Sequence, residues 1–128
     1  MKSAFSIQWI KSIQPRKQRK YRFNAPAHIR SKFMAVRLVK ELQKKYETRS
    51  LRVRKGDKVK ILRGTFKGHA GTVEKVIAIR EQVFVSGAEN VKKDGGKVPY
   101  PIHPSNLLLT TIVTDDKRRF KKQKSEEK

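Results

Sequence analysis

Five positive side chains fall within seven residues at Arg16, Lys17, Arg19, Lys20 and Arg22, with the aromatic rings of Tyr21 and Phe23 at the end of the run. Cations at this density repel one another until a polyanion neutralises them, so the chemistry on offer is phosphate binding. A second set, Arg49, Arg52 and Arg54, lies about thirty residues on, preceded by Arg30 and Lys32. A third pair, Arg63 and Lys67, rims a glycine-punctuated stretch, Gly64-Thr65-Phe66-Lys67-Gly68-His69-Ala70-Gly71. Glycine reaches positive φ without a Cβ clash, so such a loop can turn tightly and bring its backbone against another surface. The formal net charge of +22 in 128 residues exceeds what solubility needs and points to a nucleic acid or an anionic surface as partner.

Other chemistries find little support. There is no cysteine, which removes disulfide frameworks, thiolate metal sites and cysteine nucleophiles and leaves His28, His69 and His103 as the good nitrogen ligands. No two of these histidines have the close spacing of a metal-binding helix, and no glycine loop ends in the Gly-Lys-Ser/Thr of a nucleotide-binding loop. No metal, cofactor or small-molecule substrate is expected. The acids Glu41, Glu47, Asp57, Glu74, Glu81, Glu89 and Asp94 mostly stand beside Lys or Arg and read as solvated partners rather than catalytic carboxylates in apolar pockets, so no enzyme is expected. Apolar runs as short as Leu107-Leu108-Leu109 do not span a bilayer. The opening residues are interrupted by Ser6, Gln8, Lys11 and Ser12 and show no small-residue cleavage site, so no export signal is expected.

The charge is distributed unevenly, with 14 basic and 2 acidic side chains in residues 1–50, 12 and 5 in 51–113, and 7 and 4 in 114–128. All 7 glycines fall in the middle segment, which therefore reads as the folded domain between basic flanks. Residues 1–23 form a basic arm that stays extended until phosphates screen it. Within it Phe5, Trp9 and Ile13 recur every fourth residue, which fits either a short helix with an apolar face or an unstructured leader. Residues 24–50 predict two short helices: one capped by Asn24 with Pro26 in its first turn, running to Lys32, and one over 35–46 whose stripe is Leu38, Val39, Leu42 and Tyr46. From Leu51 the period changes. The alternation Lys58-Val59-Lys60-Ile61 predicts a half-buried strand, followed by strands at 72–79, 82–85, 97–100 and 107–113 with a tight turn at Asp94-Gly95-Gly96. Five short strands without a crossover helix predict a mainly β, five-stranded antiparallel barrel over 51–113. Residues 114–128 read as a charged, helix-prone tail, capped by Thr114 and dispensable for folding.

The segment Arg54-Lys55-Gly56-Asp57 through Val73-Glu74-Lys75-Val76, centred on Lys67-Gly68-x-x-Gly71-x-Val73, resembles the KOW motif of ribosomal and transcription-elongation proteins. Four companion stretches, 21–30, 40–46, 49–54 and Ile102-His103-Pro104-Ser105-Asn106, occur in an order and spacing similar to one universal large-subunit ribosomal protein family. That family is numbered twenty-four in bacteria and twenty-six in eukaryotes, and the likeness is to its archaeal and eukaryotic form over residues 15–113. The resemblance implies an SH3-like barrel that binds large-subunit rRNA early in assembly, near the outer end of the polypeptide exit tunnel. The implied partners are that rRNA and neighbouring ribosomal proteins in the cytoplasm, with no homo-oligomer. The RNA-binding set is then Arg16, Lys17, Arg19, Lys20, Arg22, His28, Arg30, Lys32, Arg49, Arg52, Arg54, Arg63, Lys67, Gly68 and His103. His103 also has a plainer reading, as part of a turn that aims the last strand. A KOW module of a transcription-elongation factor is the alternative, although such a module usually accompanies another domain. A membrane-surface or general DNA-binding protein is a third reading, for which the 35–46 stripe lacks Trp or Phe.

Overall fold

A computed structural model describes residues 5–9 and 11–120. In chain order the elements are α1 (Pro15–Asn24), α2 (Ala27–Phe33), β1 (Ala35–Leu38), α3 (Lys40–Tyr46), β2 (Ser50–Arg52), β3 (Lys58–Ile61), β4 (Ala70–Ile77), β5 (Gln82–Val85), β6 (Glu89–Val91), β7 (Lys97–Pro99) and β8 (Leu107–Thr111). Six of the strands form one mixed sheet in the order β2-β1-β8-β3-β4-β5, and β6 and β7 make a separate two-stranded ribbon. Every pairing in the sheet is antiparallel except that of β1 with β8.

The strand alternation read from 58–61 is reproduced in three dimensions: Val59 and Ile61 are buried while Lys58 and Lys60 face out. Val36, Leu38, Val73, Val83, Val85, Leu107 and Leu109 complete the core from the neighbouring strands. A bulge between Val73 and Lys75 bends β4, and the free edge of β5 is tied back by paired hydrogen bonds between Val83 and Ile102 (2.8 and 2.9 Å). The result is a small β-rich fold with a strongly bent sheet. Six strands, not five, share it, one pairing is parallel, and the strands do not close into a barrel among the described residues.

Residues 35–38 are a strand rather than the first turn of a helix, and the helix begins only at Lys40. Leu38 points into the core from β1 while Leu42 and Tyr46 pack against it from α3, so a spacing of four spans a strand–helix junction and imitates one continuous stripe. Pairing on both edges decides the matter, with β2 on one side and, on the other, Leu108 and Leu109 of β8 against Arg37 and Leu38, a partner about seventy residues away that no local pattern reveals.

The arm is also more ordered than its charge suggests. Pro15 sits in the first turn of α1, the Arg, Lys and Gln that follow are good helix formers, and the helix ends at Asn24. Asn24 therefore closes one helix instead of capping the next. Pro26 holds the capping position of α2, where the chain is extended (φ −67°, ψ 164°). Phe5 and Trp9 pack near Tyr21 without a helix between them, and Ile13 is 97% exposed, so the three do not form one face.

The C-terminal segment departs furthest from expectation. A short 3-10 turn at Lys117–Arg119 is capped by Asp116, whose carboxylate accepts from the Arg118 amide at 2.9 Å, rather than by Thr114. It delivers Arg119 to Asp57, the buried acid of the core, whose exposure is 0%. The guanidinium binds both carboxylate oxygens and also donates to the carbonyls of Val113 (3.1 Å) and Arg52 (2.9 Å). Asp57 additionally accepts from the amides of Arg54 (2.8 Å) and Val113 (3.1 Å). Phe120 stacks on Tyr46 with centroids 4.5 Å apart. Asp57 is thus a structural anchor instead of a solvated partner, and the tail as far as residue 120 is part of the body. The expectation for 121–128 lies outside the described residues.

Removing one member of a buried ion pair strands the other charge without water, at a cost of about 3–5 kcal/mol. Arg119→Ala should lower the stability of the whole chain by that amount in chemical denaturation, with Arg119→Lys in between. A loss below about 1 kcal/mol, the range of an exposed pair, would contradict this assignment.

Candidate nucleic-acid interface

The glycine loop at 62–69 joins β3 to β4. The Gly68 amide donates to the carbonyl of Ile61 at 2.8 Å and that of Lys67 to Gly64 at 3.2 Å, folding the loop on itself. Gly64 (φ +97°) and Gly68 (φ +87°) occupy the left-handed region, and a Cβ added at either would meet nothing within 4 Å among the described residues. Arg63, Lys67 and Gly68 are exposed. Gly71 serves packing instead. It lies in β4 where a Cβ would stand 2.6 Å from the Ser86 carbonyl oxygen, so its lack of a side chain permits close strand approach. His69 turns inward, its Nε2 2.8 Å from that same carbonyl, and latches the loop to the segment after β5.

The loop is joined to the turn that precedes β8. The Leu62 amide donates to the Asn106 carbonyl at 2.8 Å. In that turn His103 Nδ1 accepts from the Ser105 amide at 3.2 Å, so its hydrogen sits on Nε2 and is donated to Glu81 Oε2 at 3.1 Å. The same carboxylate oxygen accepts from Arg22 Nη1 of α1 at 2.8 Å. Glu81, a non-glycine residue at φ +53°, thereby connects the basic helix to the His103 turn and through it to the glycine loop. Its acidic type amid basic neighbours was the available signal, but its partners lie 59 and 22 residues away.

Arg16, Lys17, Arg19 and Lys20 are exposed along α1, and His28 and Lys32 are exposed on α2. Arg30 is half-buried and donates to the Phe23 carbonyl, closing the joint between the two helices. Lys32, Arg52 and Arg54 come together around a groove of about 740 Å³ beside the C-terminal segment, where Arg54 pairs with Asp116 at 3.2 Å. Arg118, absent from the expected set, lines the same groove. Arg49 is exposed at the approach to β2 and does not line that groove. His103 has both ring nitrogens engaged within the chain, which makes it a positioning residue for the turn. Among the described residues the ion pairs are Arg22–Glu81, Arg54–Asp116 and Arg119–Asp57, with His103 adding a hydrogen bond to Glu81, so most of the positive charge faces outward without an acidic partner.

A family model for ribosomal proteins, comprising L26 of eukaryotes and its archaeal counterpart numbered twenty-four, matches residues 12–124. The chain belongs to this family. As a member of the L26 family it is a ribosomal protein of the large subunit, a structural component of the translation machinery in the cytoplasm. The match spans α1, the glycine loop and the Asp57–Arg119 pair, while residues 5–9 lie before it.

Gly68 and Gly71 should separate on substitution. Gly71→Ala drives a methyl to within 2.6 Å of the Ser86 carbonyl oxygen and should cost about 3 kcal/mol, the upper end for an overpacked site. Gly68→Ala enters open space and should cost only the left-handed strain, about 1–2 kcal/mol. Thermal melts of both proteins test this, and a Gly68 variant less stable than the Gly71 variant would contradict it.

Proposed function

We propose that this L26 family member binds large-subunit rRNA, as a single copy, through phosphate contacts along a surface running from α1 over the Glu81–His103 junction to the glycine loop. The observation that carries this reading is the junction itself: one carboxylate oxygen engages Arg22 and His103 and so ties the basic helix to the turn before β8, whose Asn106 carbonyl in turn holds the glycine loop. Lys and Arg on those segments face solvent and neutralise phosphates by displacing condensed counterions. The contacting residues are Arg16, Lys17, Arg19, Lys20, Arg22, Arg63, Lys67 and the backbone of Gly68, with Lys32, Arg52 and Arg54 forming a second patch at the groove. His28, Arg30 and Arg49 flank these patches. The bent β3-β4-β5 unit against β8 is read as the SH3-like barrel of a KOW motif, with the Val83–Ile102 bridge at its seam. Action early in subunit assembly and a site near the outer end of the exit tunnel rest on the family likeness.

Six to ten phosphate contacts should cost roughly three to five decades of affinity between 50 and 200 mM salt, by the rule for duplex DNA. Filter binding of an rRNA fragment across that range tests the slope; a nearly constant affinity would sink the proposal.

Gly68→Val tests the loop. With open space around the added side chain, the variant should fold with a modest loss of stability, on the order of 1–2 kcal/mol, yet bind rRNA and enter the large subunit poorly because the loop is held off its partner. Near-normal rRNA affinity in the folded variant would remove the loop from the contact surface.

A further inference from the structure

The N-terminal aromatic residues are not used by the interface described above. Phe5 and Trp9 approach the Tyr21 ring with centroids 4.9 and 6.0 Å away, and Tyr21 meets Phe33 edge-on at 6.3 Å. The Arg22 guanidinium lies 5.1 Å over Phe33 while Glu81 holds it at 2.8 Å. An open cavity of about 300 Å³ is lined by the rings of Trp9, Tyr21 and Phe33 and by Lys11, Gln18 and Arg22. Trp9, the largest apolar side chain available, remains 40% exposed there.

This combination has a defined chemistry. The volume is at the small end of ligand pockets, about 300–1,000 Å³, and suits one planar ring system rather than an extended molecule. Aromatic faces stack on any unpaired base, and cations beside them meet the phosphate of the same nucleotide. A paired base keeps its faces inside the duplex and cannot enter. The cavity also adjoins α1, whose exposed cations hold the polyanion close. Residues 5–11 precede the family match at 12–124, so part of the site comes from a segment outside the family pattern.

We infer that this cavity receives one unpaired nucleotide of the bound RNA, its base stacked on Trp9 and its phosphate against Lys11 and Arg22. The inference rests on the reading of rRNA as the partner. Trp9 is the sole tryptophan of the chain, so its fluorescence reports the site directly. The full-length protein is titrated at low salt with a short oligoadenylate and, separately, with the same strand paired to oligouridylate. Stacking is tolerant of base identity, which makes a generic strand an adequate probe. The single strand should quench Trp9 and the duplex should leave it unchanged. Trp9→Ala should weaken single-strand binding roughly five- to a hundredfold, Trp9→Phe should retain most of it, and duplex binding should be the same in all three proteins, each checked for an unchanged melting temperature. Silence of Trp9 towards a strand that binds, or equal losses for strand and duplex in Trp9→Ala, overturns the cavity and leaves the rRNA reading standing; the latter result would make these rings a clasp for α1. Failure of the wild-type protein to bind either RNA would overturn the rRNA reading itself.

Discussion

The carboxylate of Asp57 sits where no water reaches it, and the architecture around it follows from the need to satisfy a charge there. An isolated ionised carboxylate in such a place is prohibitively costly, so it must be met by donors with good geometry. Two backbone amides and a bidentate guanidinium meet it. Arginine suits this position because its planar fork reaches both carboxylate oxygens and the carbonyls of Val113 and Arg52 at once, which a lysine ammonium does not. One interaction thus fastens the turn before β3, the end of β8 and the C-terminal segment to each other.

From that anchor the candidate interface is built outward. With β3 fixed at its start, its alternation sends Val59 and Ile61 into the core and leads the chain into the glycine loop on the outer surface. The loop is held by His69 on one side and by Asn106 on the other, so its exposed backbone is presented by a firm scaffold. Glu81 repeats the logic of Asp57 at the surface. It is an acid that aligns Arg22 and His103, while most of the positive charge elsewhere faces outward. Mutual repulsion among those cations is a standing strain on the free protein, of the kind that binding a polyanion would relieve.

Some of this was legible from residues alone. The glycine loop, the alternating strand at 58–61 and the strand at 82–85 are short-range patterns whose cause is local: positive φ, a period of two and β-branched side chains. The cationic set was legible because charge needs no partner within the chain to be recognised. What escaped was non-local. The Leu38, Leu42 and Tyr46 spacing imitated a helix, whereas β1 is held as a strand between β2 and the distant β8. Asp57 resembled any acid beside a lysine, and its partner lies 62 residues away.

Composition and motif order by themselves determined that this protein is strongly cationic, that its folded part is β-rich and that the turn between β3 and β4 is glycine-built, since each depends on residue type and neighbouring positions. The tertiary structure decided the sheet order, the helical state of the basic arm, the place of the C-terminal segment in the body and the junction at Glu81. These are settled by contacts between residues distant in the chain, whose energy arises only when folding brings them together. A pattern of short period carries no record of which distant group will neutralise a buried charge or extend a sheet edge.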